Sequence, residues 1–344
     1  MSSQSTLFIS YSANHEDVLL NRLFGTKQAG FYVDVGAAHP LFENDTKALY
    51  DRGWFGINIE PNKSFFDILA AERPRDTNLN IAISDLAGES HFYEVQGTGL
   101  STCDPEEAAR ARAKGFDVIE HIVKTCTLRD LLDAANSPAI DLLKIDVEGF
   151  EPNVIRSNDW SRFRPNVILV EATFPETPVR RPDVAGPLLE NAGYRRVYFD
   201  GLNDYYLENS FVAPEGAFDA PPNLFDHFTT IDHAQLAQER DFLRQEGQSL
   251  KVERENALIE ITALRIELGQ QLYLRDDIAR ARDALLAMRR QMTELARQME
   301  NIEAERAAVE TRLEATWRST SWRVTRPLRA IAHPRRSMRI LTGK

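Results

Sequence analysis

The sequence predicts an α/β fold: a doubly wound, mostly parallel sheet followed by a long α-helical coiled coil. Over residues 7–213, short apolar runs alternate with helical patterns. The apolar residues of these runs are continuous, which is typical of parallel strands covered by helices on both faces. Beyond a connector that contains prolines, apolar residues recur at steps of three and four, which is the pattern of a coiled coil.

Five short segments rich in Val and Ile are the predicted strands of the sheet. They are "FYVDVG" (31–36), "FGINIE" (55–60), "NLNIAIS" (78–84), "DLLKIDVEG" (141–149) and "NVILVEA" (166–172). Helical patterns such as "NKSFFDILAAERP" separate them. The segment "RRVYFDGLNDYYLEN" (195–209) predicts a terminal hairpin, because "DGLN" joins two strand-like runs.

The coiled coil is predicted for residues 231–317, which contain no Pro and only two Gly. Its seam comprises Leu285, Met288, Met292, Leu295, Met299, Ile302, Val309 and Leu313, preceded by the weaker Leu258, Ile261, Leu264, Leu268 and Leu272. A continuous helix here would extend roughly 120 Å. Arg306 interrupts the apolar pattern. A single amphipathic helix folded back on the α/β domain is the alternative.

Charge and cysteine content restrict the classes of protein. The net charge of the 344 residues is −11, yet the segment after Glu314 holds eight basic residues and no acid. An acidic body disfavours binding to nucleic acid. Cys103 and Cys126 form no CxxC pair, so neither a disulfide framework nor a zinc site is expected. With no signal-peptide pattern and no apolar run of about 20 residues, a cytoplasmic location is expected.

The residues of the turn after the first predicted strand indicate whether a dinucleotide could bind there. A pyrophosphate site needs G-x-G-x-x-G, but Gly36 is followed by "AAHP" and the next glycine is Gly53. An NAD-dependent dehydrogenase is therefore disfavoured. Glu60, at the end of the second strand, is placed to accept both hydroxyls of a ribose. A ribose without phosphate, together with a turn walled by carboxylates, favours the sulfonium S-adenosylmethionine.

These segments resemble the FkbM family of S-adenosylmethionine-dependent methyltransferases. The resemblance spans residues 11–210 and rests chiefly on "GWFGINIEPN" and "LLKIDVEGFE". It implies a Rossmann-like class I methyltransferase domain at residues 1–213, and O-methylation of a hydroxyl of a sugar or other natural product. One departure is Ala13 in "YSANHED", where the family tends to have glutamine.

The predicted site residues follow from the strand ends and the fold. The cofactor-binding set is Asp34, Gly36, Ala37, Glu60, Ala82, Ile83, Ser84 and Asp146; the candidate catalytic residues are Asp146, Glu148 and His39. Glu148 either removes the acceptor proton or binds a metal that acidifies the hydroxyl. Glu171 could join Asp146 in a divalent-metal site, which the sequence leaves open. Glu151 is interpreted as an acid in the first turn of a helix.

The loop "GTGLSTCD" (97–104) has two interpretations. It is either a mobile active-site loop, with Ser101 and Thr102 bonded to the ligand, or a plain turn marked by its glycines.

The remaining segments predict partners. Residues 214–230 are a linker, and residues 318–344 form a basic tail with Trp and apolar residues among its arginines. Such a tail suits an anionic membrane surface or an acidic protein. It is similar to the tails of enzymes that build cell-surface polysaccharides, which implies a glycosyltransferase or membrane-surface partner. We expect a glycan acceptor and a homo-oligomer formed through the coil. The alternative function is a catalytically inactive scaffold of a glycan-assembly complex.

Overall fold

The computed structural model describes residues 7–270 and 278–318. The chain divides into two units, one ending at Phe228 and the other beginning at Thr229. The basic tail beyond Arg318 lies outside the described residues, so its predicted partners stay predictions.

Strands and helices alternate through the first unit. The strands are β1 Phe8–Ser10, β2 Phe31–Val35, β3 Phe55–Ile59, β4 Thr77–Leu79, β5 Ala82–Ile83, β6 Gly88–Val95, β7 Val118–Cys126, β8 Leu142–Ile145, β9 Val167–Glu171, β10 Tyr194–Phe199, β11 Asn203–Glu208 and β12 Phe228–Thr230. The helices are α1 Glu16–Phe24, α2 Lys47–Arg52, α3 Lys63–Glu72, α4 Pro105–Ala113, α5 Leu128–Ala134, α6 Glu151–Arg156 and α7 Ala185–Asn191, with a 3₁₀ turn at Leu224–Asp226. The mixed α/β class predicted from the sequence is confirmed.

The main sheet has seven strands in the order β10-β11-β9-β8-β2-β3-β4. Strands β4, β3, β2, β8 and β9 pair in parallel. Strand β11 is antiparallel to both β9 and β10, which confirms the predicted terminal hairpin. The chain builds outward from β2 to β4 on one side and from β8 to β9 on the other. The strand order therefore reverses between β2 and β8, and ligands of such sheets bind beside that point.

Helices cover both faces of this sheet. Val33 of β2 and Ile145 of β8 belong to a cluster that includes α5, α6 and α7, whereas Tyr32 and Leu142 belong to one that includes α1 and α2. Because neighbouring residues of a strand point to opposite faces, a strand buried on both sides is apolar at every position. This burial accounts for the continuous apolar runs.

The sequence predicts a single strand for "NLNIAIS", but the structure shows two. The segment divides into β4, the edge of the main sheet, and β5, which belongs to a separate three-stranded sheet in the order β5-β7-β6. Asn80, between the two, donates from its side chain to the carbonyls of Glu60 and Pro61, at 2.8 and 2.9 Å. The interruption thus fixes the backbone that follows β3.

A glycine is required where β2 meets β8. Gly36 has φ +83°, and a Cβ added there would lie 1.8 Å from the carbonyl oxygen of Asp146. The backbones stay that close because Asp146 donates its N–H to Val35, and Gly36 donates its own to Ile59, each at 3.0 Å. A side chain would therefore push the two strand ends apart.

The second unit contains helices α8, Ile231–Gln270, and α9, Ile278–Arg318. They run antiparallel: Arg312 pairs with Glu239 at 3.4 Å, while a Cβ on Gly247 would be 3.6 Å from Ile302. Three residues of the predicted seam, Met299, Val309 and Leu313, are buried, together with Leu243 of α8. The helical extension is therefore a pair of helices rather than one rod over its described residues. The coiled coil itself stays a prediction.

None of the helices in the described ranges is both long enough and apolar enough to cross a bilayer.

Candidate functional site

A cavity of about 540 Å³ opens where the strand order reverses. Its volume falls in the range of small-molecule sites. The carboxyl ends of the parallel strands line it, together with the loop at residues 97–103. Seven predicted site residues are in its wall: Gly36, His39, Glu60, Ala82, Ile83, Asp146 and Glu148. The structure thus brings together residues from four separate segments.

The wall of this cavity is strongly acidic. It contains the carboxylates of Glu16, Glu43, Asp45, Glu60, Asp146, Glu148, Glu171 and Glu176. The only Lys or Arg among its lining residues is Lys144. The field therefore favours a ligand that carries positive charge or many hydroxyl donors, and it disfavours one that carries phosphates.

Lys144 is buried at the reversal point, with 4% of its surface exposed. Its ammonium donates to the carbonyl of Gly36 at 2.8 Å and lies 3.5 Å from Asp34 Oδ1 and 3.4 Å from Asp146 Oδ2. Burial alone would lower the pKa of Lys144, but the carboxylates of Asp34, Asp146 and Asp45 together raise it. The side chain is therefore a fixed cation that joins β2 to β8.

Asp34 does not line the cavity, and the predicted contact with a ligand is corrected here. Its side chain is 0% exposed; Oδ2 accepts a hydrogen bond from Thr46 at 2.8 Å, and Oδ1 faces Lys144. Asp34 is the last residue but one of β2. Its side chain therefore lies on the same face of the sheet as that of Tyr32 and does not point out of the strand end. Its role is to hold Lys144.

Ala37 and Ser84 are also absent from the cavity wall. Ala37 is buried, donating its N–H to Ile59 and accepting from the Asn44 side chain at 3.0 Å. The Ser84 hydroxyl donates to Asp85 at 3.2 Å. Both residues support the site from behind, whereas Ala82 and Ile83 of β5 reach its surface.

Glu60 lies where the sequence placed it, at the end of β3 and in the cavity wall. Its Oε2 accepts the N–H of Ala38 at 2.8 Å, and Oε1 accepts the N–H of Asn62 at 2.7 Å. These bonds fix the carboxylate, yet each oxygen keeps a lone pair for a further donor. Burial raises the pKa of Glu60 to about 7, although both backbone hydrogen bonds oppose that shift.

A second acidic group, which we call the carboxylate cluster, consists of Asp146, Glu148 and Glu171. Each offers one oxygen, and these oxygens all lie within 4.8 Å of one another. Burial raises the pKa of Glu148 and of Glu171, and the nearby charge of Asp146 raises both further. Glu148, in the turn that follows β8, adopts φ +54°, in the left-handed region.

Glu151 has the structural role predicted for it. It is the first residue of α6, and its Oε1 accepts the N–H groups of Val147 at 3.2 Å and Gly149 at 2.9 Å. Its carboxylate thus holds the turn that presents the carboxylate cluster.

His39 lines the cavity but is not arranged as a base. Its Nδ1 accepts the N–H groups of Leu41 and Phe42, at 3.1 and 3.2 Å. The neutral ring therefore carries its proton on Nε2 and presents a donor rather than a lone pair. Burial also lowers the pKa of His39, so the neutral form is favoured. In this arrangement His39 presents a donor to the cavity, and its catalytic role stays a prediction.

The hydroxyls of the 97–104 loop are used within the protein. The Thr102 hydroxyl donates to the carbonyl of Glu148 at 2.8 Å and accepts from Asp104 at 2.9 Å. The Ser101 hydroxyl accepts from Val95 at 3.2 Å. The loop forms one wall of the cavity, and its hydroxyls anchor it there.

The sequence did not reveal a third group of lining residues. Glu16 accepts from the Asn203 side chain at 2.7 Å, although 187 positions separate them, and Asp45 lies in the same wall. Burial, with the charge of Asp45, raises the pKa of Glu16. Ala13, the departure from the family pattern, also lines the cavity. The quoted "YSANHED" segment was the available signal for this group.

Residues 34–196 match the family model described as methyltransferase FkbM domain. This chain contains a methyltransferase domain. The FkbM domain includes both Glu60 and the whole carboxylate cluster, so the family resemblance is confirmed over the residues that form most of the cavity. Comparison with curated proteins and with solved structures gives no match.

The raised pKa of Glu60 predicts a pH dependence of stability. Its ordinary value is 4.5, and the folded value is about 7. Below pH 4.5 both states hold the proton and the contribution to stability is complete. As the pH rises towards 7 the unfolded chain loses its proton first, so the free energy of unfolding falls by about 3 kcal/mol from this group. Urea unfolding of Glu60→Gln across pH 5–8 should show a correspondingly smaller fall.

Glu89→Gln, at an exposed carboxylate of β6, is the control. Parallel pH curves for wild type and Glu60→Gln would contradict the assignment.

Proposed function

We propose that the protein is an S-adenosylmethionine-dependent O-methyltransferase that methylates a sugar hydroxyl of a cell-surface glycan or its precursor. The environment of Glu60 is the main evidence for S-adenosylmethionine as the methyl donor. A buried carboxylate, held by two backbone N–H groups with lone pairs to spare, stands at the strand end that meets a ribose in this class of sheet. Ala82 and Ile83 supply an apolar surface in the same wall for a flat base.

The charge of the cavity supports the same donor. When bound, S-adenosylmethionine supplies an electrophilic methyl group on a positively charged sulfur. Eight lining carboxylates against Lys144 favour such a cation and would repel the pyrophosphate of a dinucleotide. The turn after β2 supports the same donor, because Gly36 is needed for the close contact with Asp146 and does not form a phosphate-binding loop.

The carboxylate cluster receives the acceptor hydroxyl in this proposal. An alcohol must lose its proton as its oxygen gains the methyl group, and the Glu148 carboxylate takes that proton. A buried carboxylate with a raised pKa is a stronger base than an exposed one. Placing the two substrates in line within one cavity contributes more of the rate than the base does.

Donor binding is the first test, by titration calorimetry at pH 8, where the Glu60 carboxylate is ionised. Glu60→Ala should weaken S-adenosylmethionine by about tenfold or more, since each hydrogen bond to a charged group contributes about 1.5–3 kcal/mol. Glu89→Ala, outside the cavity, should bind as wild type does. Equal affinities for all three proteins would refute the assignment of Glu60.

Turnover distinguishes the enzyme from the alternative scaffold. With radiolabelled donor and a glycan extract, wild type should transfer label to polysaccharide, and Glu148→Gln should do so about 10²–10⁴ times more slowly. Donor affinity should be unchanged in that variant, because Glu148 acts on the acceptor. No transfer by wild type that binds the donor would favour the scaffold.

The helical extension is proposed to join copies of the chain. Phe242, Leu258, Ile259 and Ile266 of α8 remain largely exposed beside its partner helix. These apolar side chains suit burial against a second copy. The basic tail is proposed to bring the enzyme to a glycan-assembly partner or to an anionic membrane surface.

Light scattering tests the oligomer. The full chain should have at least twice the mass of one chain, and the 1–230 fragment should be a monomer. Monomeric masses for both would rule out association through the helices.

A further inference from the structure

The carboxylate cluster contains oxygens that its surroundings do not satisfy. Glu148 and Glu171 are each 8% exposed, so their carboxylates are largely removed from water. The Oε2 atoms of both residues are buried without a hydrogen-bond partner among the described residues. Buried carboxylate oxygens normally accept hydrogen bonds, and leaving one without a partner costs about 1–3 kcal/mol or more. These two oxygens therefore point to a missing partner.

The neighbouring cations do not fill that place. Arg181 brings Nη2 to 4.0 Å from Glu148 Oε2, beyond hydrogen-bond distance. Two of its nitrogens are directed elsewhere, because Nε donates to the carbonyl of Thr173 at 2.8 Å and Nη1 donates to Glu107, while Nη2 stays without a hydrogen-bond partner among the described residues. Lys144 reaches Asp146 Oδ2 but is held by the Gly36 carbonyl. Within the described part of the chain, Glu171 has no ion pair within 4 Å.

We propose that Asp146, Glu148 and Glu171 bind a divalent cation of the Mg²⁺ or Mn²⁺ class. Such ions take oxygen ligands and are commonly held by a few carboxylates, with water or substrate in the remaining positions. Around Mg²⁺ adjacent oxygens stand about 3.0 Å apart and opposite ones about 4.2 Å, so ligand atoms that lie within 4.8 Å of one another would draw together by side-chain rotation to close on the ion.

The three ligands come from rigid positions. Glu171 is the last residue of β9, Asp146 follows β8, and Glu148 sits in the turn fixed by Glu151 and Thr102. Asp146 is the most accessible of the three, with 37% of its side chain exposed towards the cavity. The remaining coordination positions of the ion are thus open on the side where a substrate enters.

The role of the cation rests on the proposed function. A cation held by the three carboxylates would lower the pKa of an acceptor hydroxyl beside it. The proton leaves to a cluster carboxylate oxygen or to water. The oxygen then forms its bond to the methyl carbon as the carbon–sulfur bond breaks. The cation binding itself does not depend on this chemistry.

Binding is tested on the full chain without donor or acceptor, by electron paramagnetic resonance of added Mn²⁺ after treatment with a chelator. We expect one Mn²⁺ per chain, displaced by excess Mg²⁺. Glu171→Gln and Asp146→Asn should each weaken Mn²⁺ at least tenfold. Glu176→Gln removes a different carboxylate of the same cavity and should leave Mn²⁺ affinity unchanged.

Two variants guard against misfolding, because Asp146 is partly exposed while Glu171 is buried. Thermal unfolding should show that Mn²⁺ raises the melting temperature of wild type and not that of either variant. Absence of Mn²⁺ binding by wild type, or equal binding by Glu171→Gln, Asp146→Asn and Glu176→Gln, would overturn the cation site. Calorimetry with S-adenosylmethionine in the presence of chelator tests the proposed function separately from the cation site. If the protein binds S-adenosylmethionine but not Mn²⁺, the cation site is wrong and the proposed function stands.

Discussion

The site depends on one buried ammonium, that of Lys144. Taking a lysine out of water is costly unless carboxylates surround it, and here Asp34 and Asp146 flank it while Asp45 adds to the field. Lys144 pairs across the sheet with Asp34, so the ion pair lies between the two strands at which the order reverses. It therefore holds together the two strand ends that form the floor of the cavity.

This arrangement divides the carboxylates into two kinds. Asp34 is paired with Lys144 and accepts a hydrogen bond from Thr46, so it serves the fold. Glu60 and Glu171 have no ion-pair partner within 4 Å among the described residues, and Glu148 has only Arg181, at 4.0 Å; burial raises the pKa of all three. Burial makes these carboxyl groups costly to ionise. A positively charged or hydroxyl-rich ligand would stabilise their ionised forms. Groups with such shifted pKa values concentrate at functional sites. Glu60, Glu148 and Glu171 all lie in the cavity wall.

Sequence reasoning located the strand ends because parallel strands bring their carboxyl ends to one edge of the sheet, which is enough to place Glu60, Asp146 and Glu148 in one cavity. It did not determine where Asp34 points, since that depends on its position in the strand and on a lysine 110 positions away in the chain. The tautomer of His39 is set by two backbone N–H groups of a turn. The pair of Glu16 and Asn203 is a tertiary contact that no local pattern contains.

The cavity can lower its charge in two ways, by taking up protons or by taking up cations. Protons suffice for an isolated buried carboxyl such as Glu60, whose two backbone donors need no further charge. The carboxylate cluster differs, because three groups within 4.8 Å leave two buried oxygens without any donor. A shared positive charge would satisfy both oxygens at once, and for this reason we propose different ligands for the two ends of the cavity.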